Sequence, residues 1–312
     1  MIRAVSLTKK FDSRVAVDHL DFEIPRGQVV GFLGPNGAGK TTTMRLLTAY
    51  LPPDEGRAEL MGQDVSADPL SVRQRLGYLP ENNPLYDDFE LTDSLHYVAK
   101  LRGLNDPKER WERVKLVLRA CGLKREIGKK VGELSKGYRQ RLGLAQAIVH
   151  DPDVLILDEP TSGLDPNQVQ EVRSLIRELR QEKTVLLSTH ILPEVTATCD
   201  RVIIINSGRI VADGTPEQIS GDVQNKNRLY IELKGPREAI ETSFQGLEGA
   251  TSVRPESQTG SGCSGFIIES EAGRDLREEV FNLASLKRWP IMAMRQEKLS
   301  LEEVFRKLTQ SQ

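Results

Sequence analysis

With 312 residues, 38% apolar side chains, and 43 Lys and Arg against 45 Asp and Glu, the chain has the make-up of a globular protein of about two domains. A net charge of −2 excludes a global field for nucleic acid or acidic membranes, so no nucleic-acid partner is expected. The longest aliphatic runs, Val154 to Leu157 and Val202 to Ile205, are far too short to cross a bilayer. Met1-Ile2-Arg3-Ala4-Val5-Ser6 lacks the apolar stretch of a signal peptide, which points to a cytoplasmic protein. Cys121, Cys199 and Cys263 are odd in number and widely spaced, and read as reduced, incidental thiols.

Short β-rich runs open the chain at Ile2 to Leu7, Val17 to Ile24 and Val29 to Leu33, the last ending in a Gly-rich turn. A helix is predicted from Lys40 to Ala49, stopped by Pro52-Pro53-Asp54-Glu55-Gly56, with a strand near Ala58 to Met61. Leu91 to His150 has a helical pattern, with Trp111, Val114, Val117, Leu118 and Cys121 on one predicted core face. Two continuous apolar strands follow, Val154 to Leu157 and Thr184 to Ser188, separated by a helix from Gln168 to Arg180. That alternation implies a parallel sheet covered on both faces.

Polar Gly221 to Asn227 marks the expected boundary between a domain of residues 1–220 and one of 221–312. Beyond it the order strand (Leu229 to Leu233), helix (Pro236 to Phe244), strand (Thr251 to Val253), strand (Gly265 to Glu269), helix (Gly273 to Leu286) and strand (Ile291 to Met294) reads as ferredoxin-like α+β. A last helix would present Leu301, Val304, Phe305 and Leu308 on one face.

Gly34-Pro35-Asn36-Gly37-Ala38-Gly39-Lys40-Thr41-Thr42 fits the phosphate-loop pattern between an apolar strand and a helix, the context that gives the pattern meaning. Glycines let backbone N–H groups curl round a phosphate at a helix N-terminus. Lys40 would reach the terminal phosphates and Thr41 would offer its hydroxyl to Mg²⁺. The strand at Val154 delivers Asp158 and Glu159 at its C-terminal end, where open α/β sheets bind ligands. Asp158 would hold Mg²⁺, and Glu159, on the opposite pleat direction, would polarise an attacking water.

Leu134-Ser135-Lys136-Gly137-Tyr138-Arg139-Gln140-Arg141 opens a helix capped by Ser135. Placed shortly before the carboxylate strand, it resembles the signature loop of the ATP-binding cassette (ABC) family, and the resemblance extends over roughly residues 1 to 220. Phe11 matches the aromatic that stacks on adenine there, Ser162-Gly163-Leu164-Asp165 resembles the D-loop, and His190 matches the switch histidine that contacts the γ-phosphate. What the resemblance implies is a P-loop α/β fold of the ABC ATPase type with an antiparallel β subdomain and a helical subdomain. It also implies ATP and Mg²⁺ as cofactors, and two copies facing head to tail with each ATP between the phosphate loop of one and Ser135 and Gly137 of the other.

Two positions depart from the usual family pattern: Glu81 stands where Gln is common, at a position tied to Mg²⁺, and Lys136 and Tyr138 vary the signature. Both variants are similar to ATP-binding subunits of exporters of drugs, lipids or polysaccharides, and to gliding-motility-associated ones, as is Leu299-Ser300-Leu301-Glu302-Glu303-Val304-Phe305. The expected partner is a multi-span permease on the inner membrane face, reached through Pro84, Leu85, Tyr86 and Phe89. An ABC ATPase acting on ribosomes or nucleic acid is the alternative. The basic residues Lys124, Arg125, Lys129, Lys130, Lys136, Arg139 and Arg141 speak for it, but the cluster is short of aromatics and reads as a solvated face.

Overall fold

The computed structural model describes residues 1–180, 182–222, 226–256, 263–271, 274–297 and 301–310. Two compact units divide the chain, Met1–Thr215 and Pro216–Ser311.

In the first unit, β1 (Ile2–Phe11) and β2 (Arg14–Ile24) form a hairpin that pairs Phe11 with Arg14 across its turn. β1 runs four residues past the predicted end at Leu7, because Lys9 and Lys10 at its far end need no core: their ammonium groups meet Asp54 and Glu55, each at 2.8 Å. After β3 (Val29–Leu33) and α1 (Lys40–Leu47), β4 (Glu55–Leu60) and β5 (Gln63–Asp64) complete an antiparallel sheet of order β2-β1-β4-β5. α2 (Pro69–Gln74), capped by Asp68, leads into β6 (Leu76–Leu79).

The long helical region resolves into α3 (Leu91–Leu101), α4 (Pro107–Ala120) and α5 (Lys136–Ile148). Gly103 at φ 98° ends the first, and Asp106 caps the second through the N–H groups of Lys108 and Glu109. Val114, Val117, Leu118 and Cys121 enter the core as predicted. Trp111 does not: it is 44% exposed and stacks on His96, with centroids 5.3 Å apart. An indole at the start of α4 covers its neighbour on the surface of α3 instead of reaching the sheet.

β7 (Val154–Asp158), α6 (Pro166–Leu179), β8 (Thr184–Thr189), α7 (Leu192–Thr198), β9 (Arg201–Asn206) and β10 (Arg209–Gly214) complete the unit. The main sheet has the order β10-β9-β3-β8-β7-β6, parallel except for the β10 edge. β10 has no apolar run to announce it; Ser207 and Gly208, at φ 48° and 79°, form the turn that makes the hairpin.

Alternate residues of the central strands serve two cores. Val29, Leu155, Leu157, Val185 and Leu187 face the helical side, whereas Val30, Phe32, Ile156, Leu186 and Ile203 face the antiparallel sheet and α1. Each fully buried Leu, Ile or Phe contributes about 1.5–3 kcal/mol. β3, β8 and β7 are adjacent and parallel, so the segments after Leu33, Thr189 and Asp158 emerge side by side at one sheet edge.

The second unit begins with α8 (Pro216–Asp222), ahead of the expected polar boundary, and continues through β11 (Lys226–Lys234), α9 (Arg237–Gln245), β12 (Ala250–Pro255), β13 (Cys263–Glu271), α10 (Arg277–Leu286), β14 (Ile291–Glu297) and α11 (Leu301–Gln310). Its antiparallel sheet has the order β12-β13-β11-β14, the ferredoxin-like arrangement that the strand and helix order predicts. Val304 is buried, and Arg228 of β11 ties Glu269 of β13 at 3.0 Å to Glu303 of α11 at 2.8 Å. Leu299 and Ser300 lie outside the described residues. Among the described residues no helix is long and apolar enough to cross a membrane.

Candidate nucleotide site

Gly34 to Thr42 connect β3 to α1 as a tight loop. At Gly39, φ is 107° and a Cβ would collide with the Ala16 carbonyl, so both conformation and space demand glycine. The Ala38 N–H closes on the Pro35 carbonyl at 3.2 Å, and the Ala38 carbonyl accepts from the Gly208 N–H at 2.9 Å. Lys40, the first residue of α1, curls back over the loop, and its Nζ donates to the carbonyls of Gly34 at 2.8 Å and Pro35 at 3.2 Å. A cleft of about 470 Å³ opens in front of the loop, where Asn36, Gly37, Thr41 and Thr42 meet Phe11, Arg14, Glu81 and Glu159.

Asp158 ends β7 fully buried. The Ser188 hydroxyl donates to its Oδ1, while Oδ2 has no hydrogen-bond partner among the described residues. Burial pushes the Asp158 carboxyl up from the usual carboxylate range; the Ser188 and Thr41 hydroxyls and Lys40 oppose that, and the Glu81 charge adds to it. Glu159 sits just past the strand with φ at 50°, so a left-handed turn aims it, not the strand pleat that the sequence suggested. Such a conformation costs a non-glycine residue about 1–2 kcal/mol. Backbone anchors hold it: the Glu159 N–H donates to Ser188 Oγ at 3.0 Å, and the Gln140 amide donates to the carbonyls of Glu159 at 3.4 Å and Pro160 at 3.2 Å.

The Glu159 carboxylate lies 3.6 Å from Lys40 Nζ, and His190 Nδ1 lies 3.0 Å from both of its oxygens. Nδ1 thus faces the carboxylate, and Nε2 is the ring nitrogen turned to neither of its oxygens. The phosphate loop, Glu159, Glu81 and the 45% exposed Phe11 thus share one cleft; His190 is joined to it through Glu159, and Asp158 lies buried at the end of β7 next to Glu159.

Ser135, Gly137 and Asp165 form a separate group outside the lining of that cleft. Ser135 Oγ accepts from the Tyr138 N–H at 3.4 Å and starts α5. Asp165 starts α6, accepting from the N–H groups of Asn167 at 3.0 Å and Gln168 at 2.9 Å. A Cβ on Gly137 would collide with the Gln168 amide, and one on Gly163 with the Lys136 ammonium. Arg141 holds the two helices together through Glu171, at 2.5 Å.

Three further side chains shape this region. Glu194, buried, accepts from the Thr161 hydroxyl at 2.5 Å and the Thr189 hydroxyl at 2.8 Å, joining the segments that carry Glu159 and His190. Gln140 and Arg14 are the others. Arg14 had a weak signal in its place opposite Phe11; Glu194 and Gln140 had none, because their partners are distant in sequence.

Residues 17–162 match the ABC transporter family. The chain is 38% identical over 237 residues to the bacitracin transport ATP-binding protein BcrA of Bacillus licheniformis, an alignment that covers 75% of this chain and 74% of that protein. It is 36% identical over 237 residues to the ABC transporter ATP-binding protein NatA of Bacillus subtilis, covering 74% and 96%. Nod factor export ATP-binding protein I of Burkholderia pseudomallei is 41% identical over 215 residues, covering 68% and 69%. A solved ATP-binding subunit of an ABC transporter superposes with a TM-score of 0.67 at 29% identity, over 72% of this chain and 93% of that one. A dimeric bacterial ABC transporter cassette shares the fold at a TM-score of 0.65 and 22% identity, over 69% and 98%. By its phosphate loop, its ordered site and these relatives, the chain belongs to the ABC transporter ATP-binding family, and it is an ATP-binding ATPase cassette.

Proposed function

We propose that two copies of this chain close around two ATP molecules and hydrolyse them to power a separate multi-span permease, and that the system is an exporter. The observation that carries this reading is that Lys40 and Glu159 line one cleft, with His190 bonded to Glu159 and Asp158 buried beside it in the chain, while Ser135, Gly137 and Asp165 are not among its lining residues. A second copy facing the first would bring its Ser135 and Gly137 to the phosphates held at Lys40. Names among the relatives, bacitracin transport and Nod factor export, support export.

In this reading Phe11 stacks on adenine, and the N–H groups from Gly34 to Thr42, together with Lys40, bind the phosphates. Lys40 leaves Glu159 for the nucleotide, since the phosphates offer it more negative charge than one carboxylate. Glu159 then accepts a proton from the attacking water. His190 keeps that carboxylate oriented through Nδ1, and its Nε2, when it carries a proton, donates to the γ-phosphate. Asp158 Oδ2, buried and unpartnered, together with the Thr41 hydroxyl and Glu81, forms an oxygen donor set suited to Mg²⁺. Mg²⁺, when bound, supplies charge neutralisation of the phosphate oxygens.

The permease is taken to dock at the exposed cluster of Tyr86, Phe89 and Tyr97, whose rings pack at 5.3–6.2 Å, which would make the protein peripheral on the cytoplasmic membrane face. Residues 1–220 act as the ATPase and 221–312 as an accessory region for dimer contact or regulation.

The test is Glu159→Gln, which keeps the shape and removes the basicity. Turnover is expected to fall roughly 10²- to 10⁴-fold, the range of a positioned general base, with an ATP-bound dimer accumulating on a sizing column. Wild-type turnover in that variant would sink the reading.

A further inference from the structure

The charges that line the nucleotide cleft do not all have partners. Lys40 is 3.6 Å from Glu159 and is also held by two carbonyls, and Glu81 and Glu159 add two negative charges. A triphosphate entering this cleft meets carboxylates as well as cations. Arg14 is the exception: no carboxylate lies within ion-pair distance of it among the described residues, and its Nη2 donates only to the Gly37 carbonyl at 3.2 Å. Its place is fixed by the hairpin, where it stands opposite Phe11 in the β1-β2 register, so one turn presents an aromatic ring and a guanidinium to the same cleft.

We infer that Arg14 is a phosphate-binding residue of the ATP site, and that it adds to the preference of the cleft for ATP over nucleosides. The inference rests on reading this cleft as the nucleotide site. A guanidinium with unused N–H donors at the tip of the phosphate loop can add charge-assisted hydrogen bonds to phosphate oxygens. The Gly37 carbonyl holds it ready without neutralising it. Arg14 also offsets one of the two carboxylates that the triphosphate must approach.

Equilibrium binding of ATP and of adenosine to the full chain tests this. Arg14→Gln is expected to lower the ratio of ATP to adenosine affinity about tenfold, the size of one charge-assisted hydrogen bond, and Arg14→Lys to keep most of it. Raising the salt should narrow the gap between wild type and Arg14→Gln. If Gln and Lys behave alike, or if ATP and adenosine weaken together, Arg14 only props the loop or the Phe11 ring and the inference fails. A wild-type protein that binds adenosine as tightly as ATP would instead overturn the cleft as the nucleotide site, and this role with it.

Discussion

The two halves of the ATPase apparatus are built on different principles. Around Lys40, side chains from three separate segments meet at Glu159, which lies 3.6 Å from Lys40 and 3.0 Å from His190, brought there by the adjacency of β3, β8 and β7. Around Ser135 the parts are two helix starts, α5 and α6, locked to each other by a glycine seated on an amide and by the Arg141 and Glu171 pair. The first half gathers the side chains to which the proposed function gives the proton transfer and the metal. The second offers N–H dipoles in a stiff frame and little else, which suits a surface that recognises a phosphate held by another molecule.

If that division is right, damage to the second half should show in frame stability and in turnover, while damage to the first should show in the chemistry. The far end of α5 provides the largest expected effect. Burial, with the Arg102 charge beside it, pushes the His150 imidazole down to about 4, and its Nε2 faces the Leu76 carbonyl at 3.2 Å. The ring is neutral in the fold and titrates near 6.5 when unfolded, so its contribution is complete above about pH 6.5 and is lost as pH falls toward 4. Denaturation midpoints should therefore report a loss of about 2 kcal/mol between pH 7.5 and 5 that His150→Gln largely removes. Equal slopes in the two proteins would show that His150 carries no such load.

Gly137→Ala comes next. The new methyl must displace the Gln168 amide that completes the cap at Asp165, so ATPase turnover should drop about tenfold while ATP affinity of the isolated chain stays put. Unchanged turnover would mean that the frame tolerates the shift and the stiffness is idle. The smallest effect belongs to Glu81. Replacing it with Gln keeps an oxygen but removes a charge close to Asp158, so the Mg²⁺ requirement of ATPase activity should rise by roughly threefold, and more with Ala. Superimposable Mg²⁺ titrations would remove Glu81 from the metal's surroundings.

Contiguous motifs made much of the first half legible. Gly34 to Thr42, Asp158 and Glu159 are each written in one stretch between a strand and a turn, and the apolar runs of β3, β7 and β8 announce the sheet that aligns them. Glu194 was not legible, because its meaning lies in Thr161 and Thr189, and a buried carboxylate between two hydroxyls looks like any helical glutamate until the fold closes. Trp111 misled for a related reason: helical spacing places it on the face of Val114 and Val117, but near the start of α4 its indole stays exposed and lies against His96. The direction of Glu159 depends on a single left-handed residue, which strand periodicity cannot encode.

One small turn constrains how the protein can be taken apart. Gly208, at the tip of the β9-β10 hairpin, donates to the Ala38 carbonyl at 2.9 Å and accepts from the Asp18 N–H at 2.9 Å, so the phosphate loop is braced by residues far downstream in the chain. A shortened ATPase fragment that stops before this hairpin would retain every residue of the phosphate-loop motif and still lose the support that gives the loop its shape. The earliest usable stop codon is therefore set after Gly214, where β10 has finished pairing with β9.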